Sequence, residues 1–364
     1  MKKAMKNTVI ILLTVFLLIL IAAGIVYYKM SPLTSKGNDG AAVYNGHIEI
    51  WNVPAGYSKE KKLDRMNVKT DRNAFMSQIE FISAIVNDEY KDEEVAIDTF
   101  TYLYEIKAGY ESELFDDKPY LIPYLCEGSD SAVIVLPGGG FGFKSIDGGT
   151  AEGEDIAVTL QKNGVNAFVL HYRSNPYEYP IPVLDAQRAV RWLRHHASEY
   201  GIDPDKISLI GFSAGGFTIG SFISQIRGND CFPEDYKHDE IDKEDDSIAS
   251  AAMIYPALSF NANVPMLFAL FDAEEVRNKS RRAELLRQVD LKSYVQNSKD
   301  VPQFVAWGTK DKMVGTSETP AYIEAARSVG ADVTEVVVKG KDHGFGQKYY
   351  MDAYLDWLKM GFER

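Results

Sequence analysis

The sequence is poor in the residues that most often bind metals or cross-link a chain. Its 364 residues include two cysteines and six histidines. Cys126 and Cys231 are far apart and have no histidine at a zinc-ligand spacing, which excludes a disulfide framework and a zinc site of the usual pattern. An exported chain could oxidise the two thiols. Sequence alone does not place them within bonding distance, so two isolated thiols are the preferred interpretation.

Positively charged residues are outnumbered by negatively charged ones. The chain has 39 lysines and arginines against 52 aspartates and glutamates, and its formal net charge is −13. A protein that binds nucleic acid needs a basic surface, so no nucleic-acid partner is expected. Disorder of the whole chain is excluded as well, because 46% of the residues are hydrophobic and can form a sizeable core.

The N-terminus differs from the rest of the chain. Lys2, Lys3 and Lys6 precede residues 8–28, a run without a charged side chain that is long enough to cross a bilayer as a helix. Lysines before such a run predict a cytoplasmic N-terminus and an exported chain beyond it. We therefore predict a single-pass anchor in the cell membrane, within residues 1–28, with the remaining chain extracellular. A cleaved signal sequence, which would release a secreted protein, is the alternative.

Three further segments follow the apolar run. Residues 29–46 are polar and rich in turn-forming residues, as expected of a linker. Residues 47–114 are interpreted as an N-terminal extension or cap, with an amphipathic helix over 74–90 and a first strand over 97–106. Residues 115–364 form the predicted main domain.

Strands and helices alternate along the main domain. Apolar runs predict strands at 119–126, 132–136, 165–172, 207–212, 251–255, 304–307 and 333–338, and helices are predicted at 182–200, 214–226, 321–329 and 348–362. This alternation predicts an α/β fold, in which a mostly parallel sheet is covered by helices on both faces. An acidic stretch over 228–247 interrupts the alternation and is interpreted as a solvated surface insertion, with a lid near the site as the alternative.

A Gly-x-Ser-x-Gly motif spans residues 211–215 and lies between a predicted strand and a predicted helix. In that context a sharp turn lifts the serine hydroxyl out at the carboxyl end of the sheet. The small residues around the serine permit this tight geometry. Ser213 is therefore the predicted nucleophile.

A serine hydroxyl needs a base to accept its proton and a carboxylate to orient that base. After a turn of this kind the expected chain order is serine, acid, histidine. Two histidines follow Ser213: His238 lies in the acidic stretch, whereas His343 follows the last predicted strand and is the predicted base. Asp311 follows the preceding strand and is the predicted acid. Asp342 is its rival, although a residue next to the base in sequence cannot easily reach the Nδ1 atom.

A glycine run, 138–140, follows the predicted strand 132–136. Such a run leaves backbone N–H groups free of side chains, so that they can approach the negatively charged oxygen of a tetrahedral intermediate. The N–H groups of Gly139, Gly140 and Ala214 are the predicted oxyanion hole.

These motifs resemble the esterase and lipase branch of the α/β-hydrolases, which includes the hormone-sensitive-lipase-like enzymes and the acetyl-xylan and feruloyl esterase-like group. The stretches that carry the resemblance are 137–141, 170–173, 188–194 with Asp185, 202–204, 211–216, 255–256, 308–311 and 343–345. Pro137 stands where many members have histidine. With Glu152, Gly153 and Glu154 downstream, it is similar to an acetyl-esterase-type subgroup that acts on small or carbohydrate-linked acyl groups. The resemblance implies an α/β-hydrolase fold and makes residues 115–364 the catalytic domain.

The residues and the resemblance together favour a serine carboxylic-ester hydrolase that acts on short-acyl esters, acetylated carbohydrate among them, without a metal or organic cofactor. A serine peptidase or amidase and an acyltransferase share the same triad and remain alternatives. A non-catalytic, surface-anchored binding protein is the alternative from another class. The natural ester and the oligomeric state are not determined by the sequence.

Overall fold

The chain is known from a computed structural model, which describes residues 14–21, 23–24, 47–56, 119–141, 152–174 and 177–363. The predicted linker 29–46, helix 74–90 and strand 97–106 lie outside the described residues. Of the apolar run 8–28, residues 14–21 and 23–24 are described as helical. Among the described residues, no helix is both long and apolar enough to span a bilayer. The membrane anchor and the boundaries of the N-terminal segments stay predictions.

Eight strands form a single sheet within the described part of the chain. They are β1 Ile48–Glu49, β2 Tyr120–Tyr124, β3 Ala132–Leu136, β4 Asn166–His171, β5 Ile207–Phe212, β6 Ser250–Ile254, β7 Gln303–Gly308 and β8 Val333–Val338. Their spatial order is β1-β2-β4-β3-β5-β6-β7-β8. The six strands from β4 to β8 in that order run parallel, whereas β2 is antiparallel to both β1 and β4. The predicted α/β fold with a mostly parallel sheet is confirmed.

Seven α-helices connect or follow these strands in the described residues. They are α1 Glu154–Lys162, α2 Ile181–His195, α3 Ala214–Ser221, α4 Ala273–Arg277, α5 Lys279–Gln288, α6 Glu318–Ser328 and α7 Met351–Phe362. Helices α1, α4 and α5 were not predicted. The prediction of a helix over 182–200 was too long, because α2 ends at His195 and a 3₁₀ turn follows it. The predicted helix 214–226 likewise ends as α3 at Ser221 and continues as a π-helical turn.

Two apolar clusters lie on opposite faces of the sheet. Because successive side chains of a strand point to opposite faces, Ile134 joins one cluster, with Leu184 of α2, and Val133 joins the other. Ile156 of α1 and Leu358 of α7 complete the second cluster. Burying one side chain of this size contributes roughly 1.5–3 kcal/mol. The two-sided burial explains why the central strands are continuously apolar.

Residues 47–56 lie against the main domain. The Trp51 indole donates to Asp185 Oδ1 at 3.0 Å, and the backbone carbonyls of Ile50 and Ala55 accept from Arg188 and Arg173 at 2.6 and 2.5 Å. The Arg188 guanidinium also lies 4.8 Å from the centre of the Trp51 ring, a cation–π distance. Buried arginines of the main domain therefore hold this N-terminal segment in place.

The interpretation of 228–247 as a solvated insertion is wrong for part of its acidic residues. Asp239 and Asp242 form ion pairs with Arg188 at 2.7 and 2.8 Å, and Asp246 is buried. Tyr236 of the same stretch meets the Trp51 ring edge-on at 5.6 Å. The stretch therefore packs on α2 and on the N-terminal segment, because the charge of Arg188 needs anionic partners inside the protein.

Candidate active site

Ser213 occupies a sharp turn between β5 and α3. Its backbone has φ 51° and ψ −112°. A non-glycine residue at a positive φ of this kind costs about 1–3 kcal/mol and needs support from its surroundings. The Ser213 N–H donates to the Ile254 carbonyl at 3.0 Å, and the Ser213 carbonyl accepts from the Phe217 N–H at 3.0 Å. These bonds to β6 and to α3 hold the strained turn at the carboxyl end of the sheet.

The glycines after Ser213 are required by the close approach of the backbone. A Cβ atom on Gly215 would overlap the Leu136 carbonyl oxygen, and one on Gly216 would lie 2.7 Å from Cβ of Pro256. The first turn of helix α3 therefore packs directly against Leu136, at the end of β3, and against Pro256, which follows β6. This packing confirms that small residues are needed at the turn.

His343 links the hydroxyl of Ser213 to the carboxylate of Asp311. Its Nε2 atom lies 2.8 Å from Ser213 Oγ, and its Nδ1 atom lies 2.8 Å from Asp311 Oδ2. When Nδ1–H donates to the carboxylate, Nε2 is left to accept the serine proton. The second Asp311 oxygen accepts from the backbone N–H groups of Met313 and Val314 at 3.0 and 3.1 Å, which fixes the carboxylate. The structure thus brings together the three residues that the sequence singled out.

Asp342, the rival acid, is bound elsewhere. Its Oδ1 atom accepts from the backbone N–H groups of His343 and Lys312 at 2.8 and 3.0 Å. The carboxylate thereby shapes the loop that carries the histidine, while Asp311 contacts the ring. His238 lies in the acidic stretch, 3.4 Å from Asp230. Neither Asp342 nor His238 takes part in the side-chain hydrogen bonds that connect Asp311, His343 and Ser213.

The glycine loop after β3 lies directly beside Ser213. A Cβ atom on Gly138 would be 3.0 Å from Cβ of Ser213. Gly139 and Gly140 have φ values of 134° and 59°, which glycine adopts without steric cost. In the described part of the chain, the backbone N–H groups of Gly139, Gly140 and Ala214 have no acceptor. Their assignment as oxyanion donors stays a prediction.

Sequence reasoning gave no role to Glu152 and Tyr255, although both belong to stretches that carry the family resemblance. The buried Glu152 carboxylate accepts from the Gly138 N–H and from the Tyr255 hydroxyl, both at 2.8 Å. Burial raises the pKa of Glu152, and the hydrogen bonds from Tyr255 and Gly138 oppose that rise. The Tyr255 ring in turn meets the His343 ring edge-on at 5.1 Å. A buried glutamate therefore contacts the glycine loop and a neighbour of the histidine.

The two cysteines and the other histidines lie outside this site. Cys126 and Cys231 are free thiols. His171 stacks on Tyr120 at 4.4 Å, and His196 stacks on Trp192 at 4.0 Å. Within the described ranges, no three histidine, cysteine, aspartate or glutamate side chains are grouped as metal ligands would be.

The serine, histidine and aspartate follow β5, β8 and β7 of a mostly parallel sheet, with a glycine loop after β3. This fold and this arrangement of side chains define an α/β-hydrolase. More narrowly, the chain belongs to the BD-FAE family, whose model matches residues 121–325, more than half of the chain.

Among curated proteins, the chain is similar to esterases. It is 26% identical to an acetylxylan esterase of Xylanibacter ruminicola over 67% of this chain and 48% of that protein. It is also 26% identical to the probable carboxylic ester hydrolase LipM of Mycobacterium tuberculosis, over 56% of this chain and 46% of that protein. The chain spans about half the length of these relatives. The resemblance to the esterase branch of the α/β-hydrolases is confirmed.

Solved structures share the fold. An acetyl ester-xyloside bifunctional hydrolase of Caldicellulosiruptor lactoaceticus matches with a TM-score of 0.56 and 24% identity, over 68% of this chain and 88% of that chain. A thermophilic esterase of Thermogutta terrifontis, in its propionate-bound form, matches with a TM-score of 0.51 and 24% identity, over the same shares of the two chains.

Proposed function

We propose that the chain is a serine carboxylic-ester hydrolase that acts on short-acyl esters. The observation that carries the proposal is the continuous path from Ser213 Oγ through the His343 ring to Asp311, with 2.8 Å at each contact. Membership of a family with esterase relatives supports the same reaction.

The reaction follows from the polarity of this path. His343 Nε2 accepts the Ser213 proton as Oγ attacks the ester carbonyl, and Asp311 stabilises the imidazolium that forms. The carbonyl oxygen becomes an oxyanion, which the N–H groups of Gly139, Gly140 and Ala214 bind in this proposal. The imidazolium then gives its proton to the leaving alkoxide, so that an acyl-enzyme and an alcohol result. Water then gives a proton to His343 and attacks the acyl-enzyme. The bond between the acyl carbon and Ser213 Oγ breaks, the imidazolium returns its proton to Oγ, and the acid is released.

Acetylated carbohydrate is the proposed substrate class. The relatives in Xylanibacter and Caldicellulosiruptor carry names that specify acetylxylan and acetyl ester-xyloside substrates, which supports a small acyl group on a sugar. An anchor formed by residues 8–28 would hold the catalytic domain at the cell surface, where such polymers are found. Both the substrate class and the extracellular location belong to the proposal.

Hydrolysis of para-nitrophenyl acetate by the purified full chain tests the reaction. Ser213→Ala should lower kcat by about 10⁶-fold, since it removes the nucleophile. His238→Ala, which changes a histidine outside the site, should have wild-type activity. A Ser213→Ala protein that retains wild-type kcat contradicts the proposal.

The substrate class is tested separately. We expect the acetyl ester to be cleaved faster than the butyryl and octanoyl esters, and acetylated xylo-oligosaccharides to release acetate. The acetanilide with the same leaving-group ring distinguishes an amidase, and trapping of the acyl group by added alcohol distinguishes an acyltransferase. Faster cleavage of the anilide than of the ester would assign the site to amides instead.

A further inference from the structure

Glu152 is a buried acid between the two sides of the candidate site. Its Oε2 atom accepts the Gly138 N–H at 2.8 Å, and its Oε1 atom accepts the Tyr255 hydroxyl at 2.8 Å. The residue is 7% exposed and precedes α1, whereas Gly138 follows β3 and Tyr255 follows β6. One carboxylate therefore joins three segments that are far apart in the sequence: the start of α1, the loop after β3 and the loop after β6.

We propose that Glu152 is a positioning residue: it fixes the glycine loop that faces the oxyanion and, through Tyr255, the ring of His343. This role rests on the proposed esterase function.

On the side of the glycine loop, Glu152 determines which way the backbone faces. The Gly138 N–H points at the carboxylate and is therefore not available to an oxyanion. A run of glycines has wide conformational freedom, and fixing it in one orientation costs entropy that a bound carboxylate offsets. Holding the Gly138 peptide restricts the next N–H groups along the loop, those of Gly139 and Gly140. Preorganised donors of this kind are the ones that stabilise a developing negative charge.

On the side of the base, Glu152 acts through the ring of Tyr255. Tyr255 has a positive φ of 37°, and its N–H donates to the Ala306 carbonyl at 2.7 Å. The ring meets the rings of His343 and Phe345 edge-on, at 5.1 and 4.9 Å. By binding the hydroxyl, Glu152 fixes the Tyr255 ring, and this ring packs against the ring of His343. The same carboxylate is close enough to His343 for a charge on that ring to lower the pKa of Glu152.

A role in packing alone does not account for a carboxylate here. Burying an ionisable group costs free energy, and an apolar side chain of similar size would fill the same space at lower cost. The two hydrogen bonds that Glu152 accepts both come from groups that adjoin Ser213 or His343. The free-energy cost of burying Glu152 is therefore offset by hydrogen bonds that hold residues of the site in place.

Two substitutions of nearly equal size separate hydrogen bonding from packing. Glu152→Met fills the space without an acceptor, whereas Glu152→Gln keeps an acceptor for the Gly138 N–H and a donor for the Tyr255 oxygen. With para-nitrophenyl acetate, Glu152→Met should lower kcat by about 10²-fold, as loss of one oxyanion donor does, with KM changed by less than about threefold. Glu152→Gln should recover kcat to within about fivefold of the wild type.

A transition-state analogue gives a second readout. A trifluoromethyl ketone forms a tetrahedral adduct with an oxyanion on the serine, whereas the matching alcohol does not. Glu152→Met should weaken binding of the ketone by the same factor as kcat/KM and leave binding of the alcohol unchanged. Glu154→Gln, which changes the exposed glutamate two residues away, is the matched control and should behave as the wild type.

The outcomes that overturn the inference are specific. Wild-type kcat in Glu152→Met, or equal losses in Glu152→Met and Glu152→Gln, would show that the acceptor has no positioning role. If Glu152→Met does not fold by circular dichroism, Glu152→Asp decides, because it withdraws the acceptor by one methylene. An unchanged kcat in that variant overturns the inference, and a loss of about tenfold or more supports it. Failure of the proposed function is distinguishable, since wild type and Ser213→Ala would then be equally inactive.

Discussion

The Arg173 guanidinium and the Asp185 carboxylate form a two-pronged ion pair in the interior. The Nε and Nη2 atoms of Arg173 lie 2.9 and 2.6 Å from the two carboxylate oxygens, and both side chains are fully buried. Asp185 also accepts from the Trp51 indole, and Arg173 also donates to the Ala55 carbonyl. This pair therefore connects the segment after β4, helix α2 and residues 47–56.

Breaking this pair should destabilise the fold. Asp185→Asn removes the charge partner of a guanidinium that has no access to water, and this should lower the free energy of unfolding by about 3–5 kcal/mol. Urea denaturation of the full chain measures the change. Glu240→Gln is the matched control, because its pair with Lys243 is exposed to solvent and should leave the midpoint unchanged. Equal midpoints for Asp185→Asn and the wild type would contradict a structural role for the pair.

Asp311 and Asp342 should differ in their effects on catalysis. Asp311→Asn keeps the shape but presents an amide to His343 Nδ1, which favours the wrong tautomer and should lower kcat by about 10⁴-fold. Asp342→Asn changes a group bound to backbone N–H groups and should cost less than about tenfold. Steady-state rates with para-nitrophenyl acetate measure both. The assignment of the acid to Asp311 does not survive a larger loss in Asp342→Asn than in Asp311→Asn.

Glu152 should make the free energy of unfolding depend on pH. Burial raises the pKa of Glu152 above its ordinary value of 4.5, so the folded state retains a proton that the unfolded state has released. The contribution of this group to stability is therefore complete below about pH 4.5 and is lost as pH rises through the folded-state pKa. The free energy of unfolding of the wild type, minus that of Glu152→Gln, should decrease with pH across that window. Urea titrations at a series of pH values measure it, and a difference that increases with pH would be the opposite of this expectation.

The turn at Ser213 should tolerate no side chain at residue 215. Gly215→Ala places a methyl group on the Leu136 carbonyl, so α3 must move away from β3. We expect a loss of stability of about 1–3 kcal/mol, as for other overpacked sites, and a displaced Ser213 with a lower kcat. Gly361→Ala is the control, since a methyl group there meets open space in α7 and should stabilise by about 0.5–1 kcal/mol. Unfolding midpoints and rates of both variants check the expectation, which wild-type values for Gly215→Ala would refute.

Prediction from sequence succeeded for elements that a local pattern of apolar residues determines. The apolar runs predicted the seven strands from β2 to β8, because most of these strands are nearly continuous in apolar residues. Helix α1 was missed, since it is short and its buried residues, Ile156, Ala157 and Leu160, are too few to give a clear period. The predicted helix over 182–200 was too long, because residues 197–200 form a 3₁₀ turn that ends at the left-handed Gly201. The spacing of apolar residues does not distinguish such a turn from the end of an α-helix.

The sequence by itself determined the candidate nucleophile and the chain order of its predicted partners. A glycine-flanked serine after a strand predicts a sharp turn at Ser213, and carboxyl ends of neighbouring parallel strands meet at one edge, which is where Asp311 and His343 lie. The sequence favoured Asp311 over Asp342, but only the tertiary structure shows which of the two carboxylates contacts Nδ1 of the ring. The tertiary structure also decided the contacts of Glu152 with Gly138 and Tyr255. Such contacts join distant segments through the packing of side chains, and no spacing along the chain encodes them.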